Sequence, residues 1–274
     1  MPSFALQGLV EDEISRTSNI SWSVCIRNGQ GRELACVNHA ACMKIASVGK
    51  LLLLIEVARQ CEVGDLAGTE VLFRDPALAV ADSGIWQHLH TERLPVHDLC
   101  VLTASVSDNV ATNILLKRVG FRRLNDLRAA LGLTSTALLD YVRQQRGPDD
   151  VPTFSTGSAA ELSSLMSSIA RNDIVSQQVS EQLRTWLATG ADLSMVSSAF
   201  NFDPLAHTEP DRGYSIFNKT GTDTGIRADV GTVRRNISQL SYAVIANWEA
   251  STPDLRDTVL ATMNTIGRQL RDLI

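Results

Sequence analysis

The chain has 274 residues, 44% of them hydrophobic and 20% charged, with a formal net charge of −5. That is enough apolar material for a sizeable core in one domain or in two closely joined lobes. It provides no basic field of the kind a nucleic-acid partner needs, so a small-molecule partner is expected. The N-terminus has no basic start followed by a long apolar stretch and a small-residue cleavage site, and no later segment is long enough to span a bilayer. The expectation is a chain that is cytoplasmic as written, or periplasmic or secreted if a signal has been removed, and that has no membrane partner.

In chain order, residues 3–17 read as an amphipathic helix. Residues 22–27 and 33–38 then read as two strands around Asn28-Gly-Gln-Gly31, an N-terminal hairpin. From Ser47 to about Gln60 an uninterrupted apolar run predicts a helix buried nearly all round, with Ser47 in its first turn. Helical patterns recur at 96–118, 121–131, 158–171 and 176–189. Between them, the stretch from 136 to 158 contains Arg146-Gly-Pro-Asp-Asp-Val-Pro152 and predicts a long ordered loop. After a loop-like region at 201–213 the pattern returns to strands at 214–219, 226–235 and 240–248, and a final helix runs from about Thr252 to the end. Strands at both ends around a helical middle predict an α+β fold in which the termini meet in one antiparallel sheet flanked by helices. Residues 1–46 and 205–274 would form a discontinuous sheet lobe, and 47–204 a mainly helical lobe. No internal repeat or low-complexity tract is present.

Three short motifs carry the chemistry: Ser47-Val-Gly-Lys50, Ser107-Asp-Asn109 and Lys219-Thr-Gly221. A serine hydroxyl must lose its proton to a neighbouring base as it attacks a carbonyl. Positions three apart share a helix face, so Lys50 lies beside Ser47, and burial, nearby cations and the helix dipole all lower its pKa toward that of a usable base. The bland alternative is a surface lysine near a helix start. Ser107 would pass a proton to the leaving nitrogen and Asn109 would hold a substrate amide or carbonyl, while Asp108 orders the backbone. The same three residues also read as an ordinary helix N-cap. Lys219 would attract a substrate carboxylate and set the charge around Ser107, with Gly221 allowing close backbone approach. The backbone N–H groups of Ser47 and Thr222 would pair as an oxyanion hole. The alternative there is a plain strand-to-turn lysine, with Gly225 making a hairpin.

With these motifs in this order, the chain resembles the class A β-lactamase family of penicillin-recognising serine hydrolases over nearly its whole length. The apolar helix after the nucleophile, Asp82-Ser-Gly-Ile-Trp-Gln-His-Leu89 and the terminal strands fit the same pattern. The resemblance implies a β-lactamase/transpeptidase-like fold and a serine hydrolase that opens a β-lactam or related amide without a cofactor. It makes Ser47 the acylated nucleophile, Lys50 its proton acceptor and Ser107 the relay. Asn109, Lys219, Thr220 and Gly221 would line the substrate site. It also implies that Arg227, six residues after Gly221, binds the substrate carboxylate, although an exposed strand arginine is the common alternative.

The family's loop motif Glu-x-x-Leu-Asn, whose glutamate activates the water that hydrolyses the acyl-enzyme, is absent from the sequence. Asp140 is the nearest acidic substitute for that base, while Asp149 or Asp150 could pair with Arg143 or Arg146 to fix the loop. An aspartate is one methylene shorter, and displacing a base by about an ångström costs on the order of a hundredfold. Acylation should therefore survive better than deacylation. A slow-turnover penicillin-binding or sensor protein, and an amide hydrolase or acyl transferase of specialised metabolism, are the alternatives. His39, His88, His90, His97 and His207 lack metal-ligand spacing, so no metal is expected. Cys25, Cys36, Cys42, Cys61 and Cys100 show neither a disulfide framework nor Cys-x-x-Cys spacing and read as small apolar side chains.

Overall fold

The computed structural model describes residues 2–80, 82–250 and 254–274. Helix α1 (Pro2–Ser15) leads into β1 (Ile20–Asn28), β2 (Glu33–Val37) and β3 (Met43–Lys44). A 3-10 turn at Ala46–Gly49 then runs directly into α2 (Lys50–Val63). Strands β4 (Val71–Phe73) and β5 (Arg93–Pro95) form a small ribbon before α3 (Val96–Ser105), α4 (Asn109–Val119) and α5 (Phe121–Ala130). Strands β6 (Ala137–Leu138) and β7 (Ser155–Gly157) precede α6 (Ala159–Arg171) and α7 (Gln177–Leu187), followed by a 3-10 turn at Val196–Phe200. The chain ends with β8 (Tyr214–Asp223), β9 (Ile226–Arg235), β10 (Ser238–Trp248) and α8 (Arg256–Arg271). The expected start of the last helix near Thr252 lies outside the described residues.

The architecture is α+β. Its five-stranded sheet has the order β2-β1-β10-β9-β8, with every neighbouring pair antiparallel. The two ends of the chain meet at the β1–β10 pairing, where Val24 faces Val244. Both faces of the sheet are covered, so its central strands are buried almost continuously and not in alternation. Trp22, Val24, Ile26, Tyr242 and Val244 pack with α1 and α8, while Cys25, Ala243 and Ile245 turn to the opposite face and join the helical core. The apolar side chains of residues 193–202, which the sequence pattern groups with the helical lobe, pack on the α8 side of the sheet. Helix α2 is the axis of the helical lobe, with Leu51 to Val57 all buried.

Four expectations are revised. The helix at 96–118 is two helices, because the backbone breaks at Val106-Ser-Asp108 and Ser107 adopts a left-handed φ of 55°. Ser47 sits in the 3-10 turn ahead of α2 and not in its first α-helical turn. The long loop contains β6 and β7, which pair with each other, and β7 pairs also with β3. Strand β8 continues past Lys219 to Asp223, so the third motif lies within a strand. No helix among the described residues is long and apolar enough to cross a membrane.

Candidate active site

The turn that carries Ser47 is held from two sides. Val48 N–H donates to Ile45 O at 3.1 Å to close the turn, and Ala46, just before the serine, is held at a left-handed φ of 45°. From the loop side, Ser155 Oγ of β7 donates to Ala46 O at 2.5 Å. Gly49 lies so close to that serine that a Cβ built on it would be 2.4 Å from Ser155 Cβ. From the sheet side, β8 presses on the turn at Gly221, where a Cβ would fall 2.2 Å from Ile45 O and 3.2 Å from Ser47 N. The segments that carry the Ser47 and Thr222 N–H groups are therefore in backbone contact.

Lys50 is fully buried, which excludes the surface-lysine reading. Its Nζ donates to Ser107 O at 2.6 Å, Ser107 Oγ at 3.1 Å and Asn109 Oδ1 at 2.8 Å, so the second motif supplies all three partners. Lys219, also buried, donates from Nζ to the same Ser107 Oγ at 3.1 Å and to Thr220 O at 2.9 Å. Two lysines thus meet on one hydroxyl. Burial lowers the Lys50 pKa well below the usual lysine range, the Lys219 cation lowers it further, and Asp108 opposes both. Burial also brings Lys219 down to about 8, while Asp192 and Asp229 work to raise it. Burial and the Lys219 cation thus act on Lys50 in the same direction, toward easier loss of its proton.

The cap reading of the second motif holds, and its Ser107 and Asn109 also accept hydrogen bonds from the two lysines. Asp108 Oδ1 accepts from Ala111 N at 2.9 Å and caps α4. Its other oxygen accepts from the N–H groups of Ile85 and Trp86 at 2.8 and 2.7 Å. The segment at 82–89 is thereby tied over the motif, and Asn109 N–H donates to Ser83 O at 3.1 Å as a further tie. Gly84 has a φ of 108° and packs where a Cβ would be 2.4 Å from Asp108 Oδ2, so only glycine fits there.

A cleft of about 1260 Å³ opens over this arrangement, lined by Ser47, Ser107, Asn109, Lys219, Thr220, Thr222 and Arg227 among others. Lys50 lies beneath its floor. Gly221 does not line the cleft as expected, because its lack of a side chain serves contact with the turn that carries Ser47. Arg227 is buried, stacks over Trp248 at 5.9 Å and donates to Asp223 O and Ile226 O, so it is no exposed strand arginine.

Asp140 is not among the cleft-lining residues. Arg143 Nε donates to its Oδ2 at 2.6 Å and Arg146 Nη1 to the same oxygen at 2.8 Å, with Tyr141 N–H on Oδ1 at 2.8 Å. Burial works to raise its pKa, but these hydrogen bonds outweigh it and hold the carboxyl below its ordinary value. A carboxylate neutralised by two guanidinium groups is a poor base, so the deacylating role considered for Asp140 is not supported. Asp150, by contrast, does pair with Arg143 at 3.4 Å, as a loop-fixing role requires. From this loop it is Val142, Arg143, Gln144, Gln145, Arg146 and Phe154 that reach the cleft, none of them a carboxylate.

Sequence reasoning missed Asp229, which is fully buried on β9 opposite Thr220. It accepts from Asn218 Nδ2 at 3.1 Å and Tyr242 OH at 3.2 Å, and burial raises its pKa to about 7. An isolated aspartate in a strand of valines was the available signal. Ser155 was missed as well, since nothing local in its sequence marks it.

A family model, the β-lactamase enzyme family, matches residues 6–274. The chain belongs to that family. Among solved structures, it is similar to a β-lactamase from Sphaerobacter thermophilus, with a TM-score of 0.83 at 23% identity over 98% of this chain and 96% of that one. PBP-A superposes with a TM-score of 0.81 at 19% identity, covering 98% of this chain and 95% of the other. A β-lactamase from Xanthomonas campestris gives 0.80 at 18% identity, over 99% and 98% of the two chains. No curated protein matches the sequence. The α+β architecture is thus shared by β-lactamases and by PBP-A alike.

Proposed function

We propose that this family member is a serine acylating enzyme that opens a β-lactam or related strained cyclic amide onto Ser47 and releases the acyl group slowly. The observation that carries the reading is the meeting of Lys50 and Lys219 on Ser107 Oγ at 3.1 Å each, beside the nucleophile turn. With Lys50 neutral, its lone pair accepts the Ser47 proton as Oγ attacks the carbonyl carbon. The N–H groups of Ser47 and Thr222 stabilise the oxyanion. The C–N bond then breaks, Ser107 gives its proton to the leaving nitrogen, and Lys50 returns a proton to Ser107. Lys219 and Arg227 attract a carboxylate on the substrate.

Release of the acyl group requires a base for water. Gln144 and Gln145 on the loop can orient a water but cannot take its proton, and Asp140 is held in its ion pairs. This favours the slow-turnover reading over efficient hydrolysis. The similar protein PBP-A, as a single-residue mutant, has been captured as an acyl-enzyme with penicillin G.

The test is intact-protein mass spectrometry over time after mixing with a chromogenic cephalosporin, with absorbance followed in parallel. A lasting adduct with one burst of product is expected, and it should vanish in Ser47→Ala. An adduct that clears while product accumulates would point to an efficient hydrolase. If no adduct forms, the β-lactam reading is wrong and other amides become the substrates to try.

A further inference from the structure

We propose that Cys25 and Cys36 are a thiol–disulfide pair, able to close a cross-strand disulfide between β1 and β2 under mild oxidation. The two residues face each other in the antiparallel register, and their Sγ atoms are 3.3 Å apart. The kind of pairing matters as much as the distance. Cys36 N–H donates to Gln7 Oε1 at 2.7 Å, and Cys36 O accepts from Gln7 Nε2 at 2.9 Å. Both backbone groups of Cys36 therefore point away from β1, which makes Cys25 and Cys36 a non-hydrogen-bonded pair. Such pairs bring their Cα atoms to roughly 4.5 Å. That lies inside the range of about 4.4–6.8 Å a disulfide spans, so the bond can form without moving the strands.

The surroundings divide the labour between the two sulfurs. Cys36 is half-buried on the edge strand and can be reached from solvent, whereas Cys25 is fully buried. Cys25 is held below the ordinary thiol pKa by its hydrogen bond with Cys36, with burial opposing and Ser163 and the Arg27 cation assisting. The Cys36 thiol is held up by that shared hydrogen bond and by burial. With oxidised glutathione as the oxidant, Cys36 passes its proton to Cys25 Sγ as it attacks one sulfur of the glutathione disulfide. A mixed disulfide forms and one glutathione thiolate is expelled, which takes up the proton. The Cys25 thiolate then attacks Cys36 Sγ and expels the second. The two cysteine protons end on the two released thiolates, so one disulfide is made and one reduced.

Glu33 places a carboxylate oxygen in the same cluster, which raises the question of a metal ion. Two thiolates bound to zinc at about 2.3 Å in tetrahedral geometry would stand roughly 3.8 Å apart. The pair is closer than that, and Glu33 Oε1 is already engaged by Arg27 Nη2 at 2.8 Å. The geometry favours a bond between the sulfurs. No sequence motif marks the pair, because the two cysteines meet only through hairpin register.

The test incubates the full-length protein at graded ratios of reduced to oxidised glutathione, followed by acid quench, alkylation under denaturing conditions and peptide mapping. The expected result is a linked Cys25–Cys36 peptide with a mass lower by two hydrogens, while Cys42, Cys61 and Cys100 remain alkylated. The oxidised protein should also melt several degrees higher than the reduced one, and Cys36→Ser should show neither the link nor the shift. Full alkylation of all five cysteines at the most oxidising ratio would overturn the proposal, as would links made through Cys42. So would stoichiometric zinc that shields both thiols from oxidation, since that would make the cluster a metal site.

Discussion

Replacing Gly221 by alanine tests whether the position of Ser47, the proposed nucleophile, depends on contact between β8 and the turn that carries it. The added Cβ would lie 2.2 Å from Ile45 O, 3.1 Å from Val48 N and 3.2 Å from Ser47 N, all of them backbone atoms. An ordinary carbon–oxygen contact is roughly 3.3 Å, so the turn and the strand must separate by about an ångström. A displacement of that size at a reacting group costs on the order of a hundredfold in rate, or about 2.7 kcal/mol of barrier. Overpacking should also cost about 1–3 kcal/mol of stability, which a thermal melt would register separately. The assay is the pre-steady-state acylation rate with a chromogenic cephalosporin, on protein shown to be folded by circular dichroism. Acylation within threefold of wild type would refute the argument that β8 sets the nucleophile.

Three other outcomes follow from the described interactions. Asp140→Asn should leave both acylation and adduct lifetime unchanged while lowering stability by about 2 kcal/mol, since Arg143 and Arg146 lose a charged acceptor. A shortened or lengthened adduct lifetime would restore Asp140 as a candidate base. Because the Asp140 carboxyl sits below its ordinary value, its contribution is present above about pH 3.8 and lost as pH falls through the folded value, which acid titration of the two proteins would show. If Lys219 attracts the substrate carboxylate as proposed, the acylation rate should fall as pH rises past about 8, where Lys219 loses that charge and ceases to lower the Lys50 pKa. A flat profile from pH 7 to about 10 would contradict that role. Asp229 titrates near 7 in the fold against an ordinary value of 3.8, so the folded state binds the extra proton and stability declines as pH rises between the two. Asp229→Asn should remove that decline, on the order of 4 kcal/mol, in urea melts taken across the window.

That the three motifs would be brought together was legible because they are short and their neighbours are apolar. The run after Lys50 could only be a buried helix, and a lysine at its head had to share that burial. The strand pattern at both ends made the joined sheet readable, since both sheet faces are covered and the strands are correspondingly rich in valine and isoleucine. What stayed hidden depended on register or on tertiary partners. The break at Ser107 could not be seen in a continuous helical pattern, because it is imposed by the ties from Asp108 to Ile85 and Trp86. The fate of Asp140 turned on which of several nearby arginines folded back on it, and composition alone leaves that open. Gly221 looked like a glycine for substrate approach, while its neighbour is the turn that carries Ser47.

The pairing of β1 with β10 also bears on how the protein is made. As the chain emerges from the ribosome, β1 and β2 appear first, yet the strand that flanks β1 on its inner side comes only near the far end. Until then the hairpin has an open edge, an invitation to pair with another chain. Pairings this distant in sequence also close slowly. The helical segments in between can collapse around α2 while they wait, but Lys219 reaches Ser107 only when β8 docks against the turn at Ser47. A nascent chain therefore completes the surroundings of Ser47 late, after nearly all of the protein has been synthesised.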